Sequence, residues 1–253
     1  MTTVFEAITD DFLDDLGAIA ALVGTFGASS HPIKARIAAA NSSTLLLAAT
    51  FEEFVREMAR EFARAVVLSA SSVDNLPKKM TATAWKRTMD GLGRIKFDKS
   101  ENGLSDAFGS AQSRFSIVYD FCRGDLSKDI YRELIHNERN MRPDQLNELF
   151  NVSGLGNVCR LCYEKPIMRS FYGEDDNSNL GKKFFSSFND FFERRNDIAH
   201  ALSAQKSNGP QQIETDIRMM TCFAQALRET LEGAAPLPSA MQSAPEHENA
   251  PGG

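Results

Sequence analysis

The chain has 253 residues, of which 42% are hydrophobic and 25% are charged, a balance typical of globular proteins. Its 28 basic and 34 acidic residues give a formal net charge of -6, which excludes a protein that holds nucleic acid by overall positive charge. Four cysteines are too few for a disulfide-rich scaffold, and no run of about 20 apolar residues predicts a membrane span.

The N-terminal segment predicts a helix, Thr3–Val23, rather than a signal peptide. Thr9, Asp10 and Asp11 suit the start of a helix, where side-chain oxygens and negative charge are favoured. The first turns carry several acidic side chains and no Lys or Arg, whereas signal peptides begin with basic ones. We therefore expect a cytoplasmic protein that has no membrane partner.

A second, longer helix is predicted from Pro32 to Leu68. Its apolar face recurs at spacings of three and four residues and consists of Phe51, Phe54, Val55, Met58, Phe62, Ala65 and Val66. The opposite face is charged, and Glu52 and Arg56 are placed for an i, i+4 ion pair. This pattern is typical of a helix that packs one face on a core.

Shorter helices follow in the middle of the chain, separated by polar or glycine-rich breaks. We predict helices at Thr81–Ile95, Asp106–Cys122, Asp129–Glu138 and Gln145–Phe150. We predict breaks at Lys96–Gly103, at the Met141–Asp144 turn and at Gly154–Gly156.

Two long helices complete the predicted bundle. After a polar loop at 174–179, a Phe-rich helix runs from Leu180 to Leu202, and a last helix runs from Gln211 to Leu231. The last helix has a coiled-coil-like seam of Ile213, Ile217, Met220, Ala224, Leu227 and Leu231. We therefore predict an all-α bundle, one domain over residues 1–233 with its core at about 33–232. Residues 234–253 are rich in proline and predict a disordered tail.

Positive charge is concentrated in Leu76–Lys99, where seven basic and two acidic residues give a net charge of +5 around Trp85. One interpretation is that this stretch follows an RNA backbone while Trp85 stacks on a base. The residues predicted to contact RNA in this stretch are Lys78, Lys79, Trp85, Lys86 and Arg87. The alternative is an amphipathic surface helix whose lysines only maintain solubility.

Cys159 and Cys162 form a C-x-x-C pair, which is half of many zinc sites. Such a site needs two more ligands at suitable spacing, and Cys122 and Cys222 stand alone on apolar helical faces. We therefore predict two buried thiols one helical turn apart, with no metal and no other cofactor.

Among the four histidines, only His200 has neighbours suited to chemistry, whereas His136 is expected to face solvent near a helix end. His200 closes the segment Arg194-Arg195-Asn196-Asp197-Ile198-Ala199-His200. Because an α-helix turns by about 100° per residue, Asn196 and His200 share a face, while Arg195 lies about 140° from His200. Arg195 therefore reaches the neighbourhood of His200 only through its long side chain or by serving a second subunit.

The Arg195–His200 segment resembles the R-x4-6-H motif of the HEPN superfamily, and its residue sequence is similar to that of the RiboL-PSP-HEPN branch. The Phe51–Glu57 helix and the region from Pro143 to Leu155 are similar to those proteins as well. The resemblance implies a HEPN-like helical bundle with extra helices. It also implies a metal-independent endoribonuclease, a toxin or antiviral effector, that works as a homodimer with two Arg and two His in one cleft.

The resemblance further implies a role for each residue of the motif. His200 would take the 2′-hydroxyl proton or protonate the leaving 5′-oxygen, since histidine titrates near neutral pH. Arg195 would bind the phosphorane oxygens, and Asn196 would orient the phosphate or the imidazole. Arg194 would contact RNA, and the product would end in a 2′,3′-cyclic phosphate. In toxins that a nucleotidyltransferase inactivates, a Tyr follows the His by two residues; Leu202 stands there, so AMPylation is not expected.

Two alternatives stand beside the ribonuclease. In the structural alternative, Arg195 pairs with a nearby acid and His200 caps the C-terminal end of its helix. In the other, the chain is a catalytically silent HEPN-like module that assembles a larger defence complex or binds nucleotide. The expected partners are accordingly an RNA substrate, a second copy of the chain, and an antitoxin or defence-system protein.

Overall fold

A computed structural model describes residues 2–27, 30–95, 101–135, 140–200 and 209–237. Within these ranges the chain forms ten α-helices, one short 3₁₀ turn and no β-strand, which confirms the predicted all-α fold class. None of the helices in the described ranges has both the length and the apolar character needed to cross a membrane. The predicted disordered tail lies almost entirely outside the described residues, and the single-domain bounds stay a prediction.

Ten α-helices follow one another along the chain. They are α1 Val4–Gly27, α2 Ile33–Ser69, α3 Lys78–Leu92, α4 Glu101–Cys122, α5 Tyr131–Ile135, α6 Pro143–Asn151, α7 Val158–Tyr163, α8 Pro166–Tyr172, α9 Asn177–His200 and α10 Pro210–Ala234, within the described ranges. The chain divides into two compact units, a first unit of Met1–Glu61 with Asn137–Ala234 and a second unit built on Phe62–His136. Helix α2 contributes its longer part to the first unit and its last two turns to the second.

The first unit is organised around four fully buried phenylalanine rings, which we call the Phe cluster. It consists of Phe51 from α2, Phe184 and Phe188 from α9, and Phe223 from α10. Ring centroids lie 4.7 Å apart between Phe184 and Phe188 and 5.6 Å apart between Phe51 and Phe188. Tilted and edge-on ring pairs at such distances are favourable beyond the burial of their area. The cluster therefore fixes α9 against α2 and α10.

The periodicity in the sequence identified most of the buried faces. All six seam positions of α10 are buried, and the predicted Glu52–Arg56 ion pair forms at 3.3 Å. On α2 the prediction fails at its C-terminal end, where Ala65 and Val66 are half-buried while Ala63 and Val67 are buried. These last two turns of α2 belong to the second unit, and the local spacing of apolar residues did not predict which of their side chains are buried there.

Several predicted helix boundaries are wrong; for example, α6 begins at Pro143, inside the predicted Met141–Asp144 turn. Helix α3 begins at Lys78 rather than Thr81, with Pro77 as its N-cap residue, because Met80 is fully buried and its burial favours an earlier start of the helix. Helix α4 begins at Glu101, inside the predicted loop. Helix α9 begins at Asn177, also inside a predicted loop, because the Asp176 carboxylate accepts the Asn179 backbone N–H at 2.9 Å and caps it.

The predicted helix at 129–138 starts later than expected, as α5 at Tyr131, and is described as far as Ile135. His136 lies outside the described residues, as does Leu202. The stretch around the C-x-x-C pair forms two short helices, α7 and α8, since Pro166 begins a new helix at a position where proline is favoured.

An ion pair between a half-buried arginine and a buried glutamate joins the helices of the second unit. Arg114 of α4 donates from Nε and Nη2 to the two carboxylate oxygens of Glu133 on α5, at 2.7 and 2.6 Å, and Glu133 is buried. Arg87 of α3 donates from Nη1 to the backbone carbonyl oxygens of Glu133 and Leu134. Both arginines therefore hold the short helix α5, whose five residues give it little stability of its own.

Gly91 on α3 leaves room for this ion pair, because a Cβ at this position would overlap the Arg114 guanidinium. We expect Gly91→Ala to lower the free energy of unfolding by about 1 kcal/mol, since the guanidinium must shift and its two hydrogen bonds to the buried Glu133 carboxylate are weakened. Gly109→Ala on α4 is the matched control, because nothing lies near its Cβ position. Urea denaturation should show the control as stable as the wild type or slightly more stable. Equal stability of the two variants would contradict the prediction.

Candidate active site

The predicted catalytic residues lie on the last two turns of α9. The preceding turns are anchored by buried side chains, with Phe188, Phe191 and Phe192 fully buried. Beyond Phe192 the helix turns polar: Arg195 and Asn196 are half-buried and His200 is exposed at the C-terminal end. The buried phenylalanines therefore anchor α9 in the first unit, while the last two turns of the helix carry polar side chains at the surface.

Asn196 connects Arg195 to a second segment of the chain. Its Oδ1 accepts a hydrogen bond from Arg195 Nη1 at 3.2 Å and another from Asn140 Nδ2 at 2.9 Å. Arg142 lies near the same helix end, with its Nη1 3.8 Å from a Glu193 carboxylate oxygen. Asn140 did not emerge from the sequence, since it is 56 residues from Asn196 and belongs to no motif. It supports the orientation of Arg195 through Asn196.

Arg194 has a different role from its neighbour. Its Nη2 donates to both carboxylate oxygens of Asp216 on α10, at 2.7 and 2.8 Å, and Gln212 donates to the same carboxylate at 3.0 Å. Burial raises the pKa of Asp216, while the charge and hydrogen bonds of Arg194 and the hydrogen bond of Gln212 oppose that rise. The guanidinium of Arg194 is therefore used to join α9 to α10.

The Arg194–Asp216 ion pair is relevant to the alternative in which Arg195 has only a structural role. Arg194 forms the ion pair that the alternative assigned to Arg195, whereas Arg195 forms no ion pair with any of the described residues. The Nε of Arg195 is buried and makes no hydrogen bond within that part of the chain. The Nε of Arg194 is buried and unmatched in the same way, so what distinguishes Arg195 from Arg194 is the lack of an ion pair in that part of the chain.

His200 and Arg195 diverge on the helix. Helix α9 is continuous through both residues, so the separation of about 140° that follows from helix geometry applies. His200 also occupies the last turn of the helix. The Arg and His of one chain are therefore on different sides of the same helix end.

The basic residues predicted to contact RNA lie on α3, in the second unit. Lys78, Lys79, Trp85 and Lys86 are exposed, whereas Arg87 is half-buried and bonded to the carbonyl oxygens of α5. Arg87 and Arg194 form hydrogen bonds within the protein through their guanidinium groups. The RNA contacts of these residues stay a prediction.

The C-x-x-C pair is buried, which confirms the prediction of two buried thiols. Cys159 Sγ donates to the Pro143 carbonyl oxygen at 3.3 Å, and Cys162 Sγ to Thr230 Oγ1 at 3.8 Å. Burial raises the pKa of the Cys162 thiol to about 12 and that of Cys159 well above its ordinary value. Within the described ranges, no group of three or more His, Cys, Asp or Glu side chains is placed to hold a metal ion.

These pKa values predict which thiols react. Cys122 and Cys222 are half-buried, and burial raises their pKa values to a lesser extent. Because the thiolate is the reacting form, we expect Cys122 and Cys222 to react with a thiol reagent at mildly alkaline pH while Cys159 and Cys162 do not. All four should react after denaturation in urea. Rapid modification of Cys162 in the native protein, identified by peptide mass, would contradict the assignment.

The comparisons with known proteins agree with the helical architecture. The family model described as RiboL-PSP-HEPN matches residues 10–233, which cover both units. No curated protein and no solved structure gives a significant match. Because the family model spans most of the chain, this protein belongs to the RiboL-PSP-HEPN family.

Proposed function

We propose that the protein is a metal-independent endoribonuclease whose catalytic residues are Arg195 and His200, with Asn196 as a positioning residue. The observation that carries the proposal is the state of Arg195: a half-buried guanidinium with no ion pair among the described residues, oriented by Asn196 on the helix that ends in His200. HEPN domains are generally ribonuclease-like or nucleotide-binding, which supports a phosphate-containing ligand at this helix end.

The chemistry follows from the residue types. Neutral His200 removes the proton from a 2′-hydroxyl, whose oxygen attacks the adjacent phosphorus and forms a 2′,3′-cyclic phosphate. A protonated histidine, either the same residue or that of a second copy, donates the proton to the departing 5′-oxygen. Arg195 binds the phosphorane oxygens with paired N–H groups, and Asn196 keeps the guanidinium in place through its Oδ1.

A second copy of the chain completes the proposed site. Arg195 and His200 lie on different sides of α9, so the Arg of one protomer and the His of its partner meet more readily across a twofold axis than the two residues of one chain do. HEPN domains often dimerize and bind RNA, which is consistent with this arrangement. We further propose that the enzyme acts as a toxin or antiviral effector, held inactive by an antitoxin or defence-system protein.

The test of the activity uses the purified protein and cellular RNA in the presence of a metal chelator. Cleavage under these conditions, with 2′,3′-cyclic phosphate ends identified by end-specific ligation and sequencing, is the expected result. Lys34→Ala is the control, since Lys34 is exposed on α2 and lies outside the proposed site. The absence of any cut RNA, with His200→Ala behaving like the wild type, would leave the silent interaction module as the better description.

A further inference from the structure

The second unit carries a row of exposed aromatic rings that the α9 motif does not involve. Trp85 of α3 meets Phe115 of α4 with ring centroids 5.9 Å apart, and Phe115 stacks on Tyr119 at 5.5 Å. These three side chains, which we call the aromatic row, are 40%, 37% and 42% exposed. A contiguous row of half-exposed rings is unusual on a free protein surface and marks a binding site.

A groove adjoins the aromatic row. Trp85 lines it together with Lys78, Ala82 and Cys122, and its volume is about 470 Å³. On α3, Lys78, Ala82 and Trp85 occupy one stripe, since their separations of four and seven residues nearly complete whole helical turns. On α4, Phe115, Tyr119 and Cys122 form a matching stripe. The row and the groove are therefore one continuous surface between the two helices.

The charges around this surface favour an anionic ligand. Three exposed lysines lie on α3. Lys78 lines the groove, and Lys79 and Lys86 share a neighbouring stripe about 100° around the helix from Lys78 and Trp85. Asp74 in the groove and Asp90 near the end of α3 oppose them only in part. Lysine is depleted in protein–protein interfaces, whereas lysines beside stacking aromatic rings are typical of single-stranded nucleic-acid sites.

We propose that the aromatic row and its groove bind unpaired nucleotides of RNA, with bases stacked on the rings and Lys78 and Lys86 against the phosphates. The proposal rests on the proposed ribonuclease function only for the choice of RNA as the natural ligand. It goes further by assigning a second RNA site, in a different unit from the α9 motif, and by specifying that this site binds single-stranded RNA. A duplex cannot offer its base faces to the rings, so double-stranded RNA should bind far more weakly.

The first experiment needs no substitution, because Trp85 is the only tryptophan of the chain. An oligouridine of about twelve nucleotides, in the length range of such sites, is titrated into the protein while tryptophan fluorescence is recorded. We expect saturable quenching by the single strand and none by a duplex of equal length. The oligothymidine of the same length, which lacks the 2′-hydroxyl and is not cleaved, should quench as well, since stacking does not depend on the sugar.

The second experiment measures the affinity of variants by fluorescence anisotropy of the labelled oligothymidine. We expect Trp85→Ala and Tyr119→Ala each to weaken binding about tenfold, and Trp85→Phe to retain most of it. Leu161→Ala is the matched control, since Leu161 is 39% exposed and lies on α7 of the first unit. Lys86→Glu should weaken binding more than Lys34→Glu, which reverses an exposed charge on α2.

The proposal is overturned if neither oligonucleotide quenches Trp85, or if Trp85→Ala, Tyr119→Ala and Leu161→Ala bind equally well. Sedimentation of Trp85→Ala without nucleic acid distinguishes RNA binding at this surface from contact with a second copy of the chain. A change in its oligomeric mass, with unchanged oligonucleotide affinity, would assign the surface to a second copy of the chain instead. Because oligothymidine binding is measured without cleavage, a failure of this binding is distinct from a failure of the ribonuclease proposal.

Discussion

Mixing two inactive variants, Arg195→Ala and His200→Ala, is expected to restore RNA cleavage. Alone, Arg195→Ala should lose about 10²- to 10³-fold in rate, because the charge of the developing phosphorane is no longer stabilised. His200→Ala should lose about 10²- to 10⁴-fold, because proton transfer loses its base and acid. Each inactive protomer still carries the residue that the other lacks.

The recovery follows from the placement of both residues on α9. If Arg195 of one protomer acts with His200 of its partner, a mixed dimer contains one site with both residues intact. With equal amounts and free exchange, half of the dimers are mixed, and cleavage should return to about a quarter of the wild-type rate. If both residues act within one chain, every site in the mixture lacks one of them and the rate stays low.

The matched control replaces the His200→Ala protein with the Arg195→Ala/His200→Ala double variant. Mixed with Arg195→Ala, it cannot supply Arg195 to any site, so no recovery is expected under either arrangement. Gel-based cleavage of one defined RNA, at equal total protein, measures all mixtures. Recovery in the control, or its absence in a mixture whose wild type cleaves well, would contradict the shared site.

Truncation of Phe51 is expected to give the largest loss of stability. Phe51 is fully buried and contacts Phe188 and Phe223 at ring-centroid distances of 5.6 and 5.7 Å. Phe51→Ala should lower the free energy of unfolding by about 3–5 kcal/mol, since it removes a large apolar side chain and leaves a cavity among rings that cannot close it. Urea denaturation followed by circular dichroism measures the loss.

Phe185→Ala is the control for Phe51→Ala. Phe185 is half-buried on α9 and has one ring contact in the described part of the chain, with Phe184 at 5.8 Å, so its truncation should cost less than half as much. Phe51 also lies 6.2 Å from Phe192, one turn before Asn196. Phe51→Ala should therefore reduce cleavage as well, at temperatures where the variant is still folded. A smaller loss for Phe51→Ala than for Phe185→Ala would show that the Phe cluster does not anchor α9.

The sequence was sufficient for eight of the ten helices in the described ranges, all but α7 and α8, and for most of their buried faces. Ile213, Ile217 and the rest of the α10 seam are buried where the spacing predicted, because a helix repeats every 3.6 residues and one face must meet the core. The same local rule gave the angular separation of Arg195 and His200. Boundaries were less accurate: Asp176 caps α9 at a position that composition alone assigned to a loop.

Contacts between distant residues decided what the polar side chains do. Arg194 and Arg195 are adjacent in the sequence and equal in chemistry, yet Arg194 pairs with Asp216, 22 residues away, and Arg195 bonds to Asn196. Likewise, Lys86 and Arg87 are neighbours, but Arg87 reaches a carbonyl oxygen 46 residues on while Lys86 is exposed. No periodicity encodes such pairs.

The sequence by itself thus determined the family, most of the helices and a motif that resembles those of ribonucleases, since all three depend on residue type and local spacing. Only the tertiary structure decided which basic side chains bond to other groups of the protein and that Asn140 donates a hydrogen bond to Asn196. It also decided that the rings of Trp85, Phe115 and Tyr119 form one row. The physical reason is that an ion pair, a shared hydrogen bond or a row of rings forms only where packing brings separate helices together.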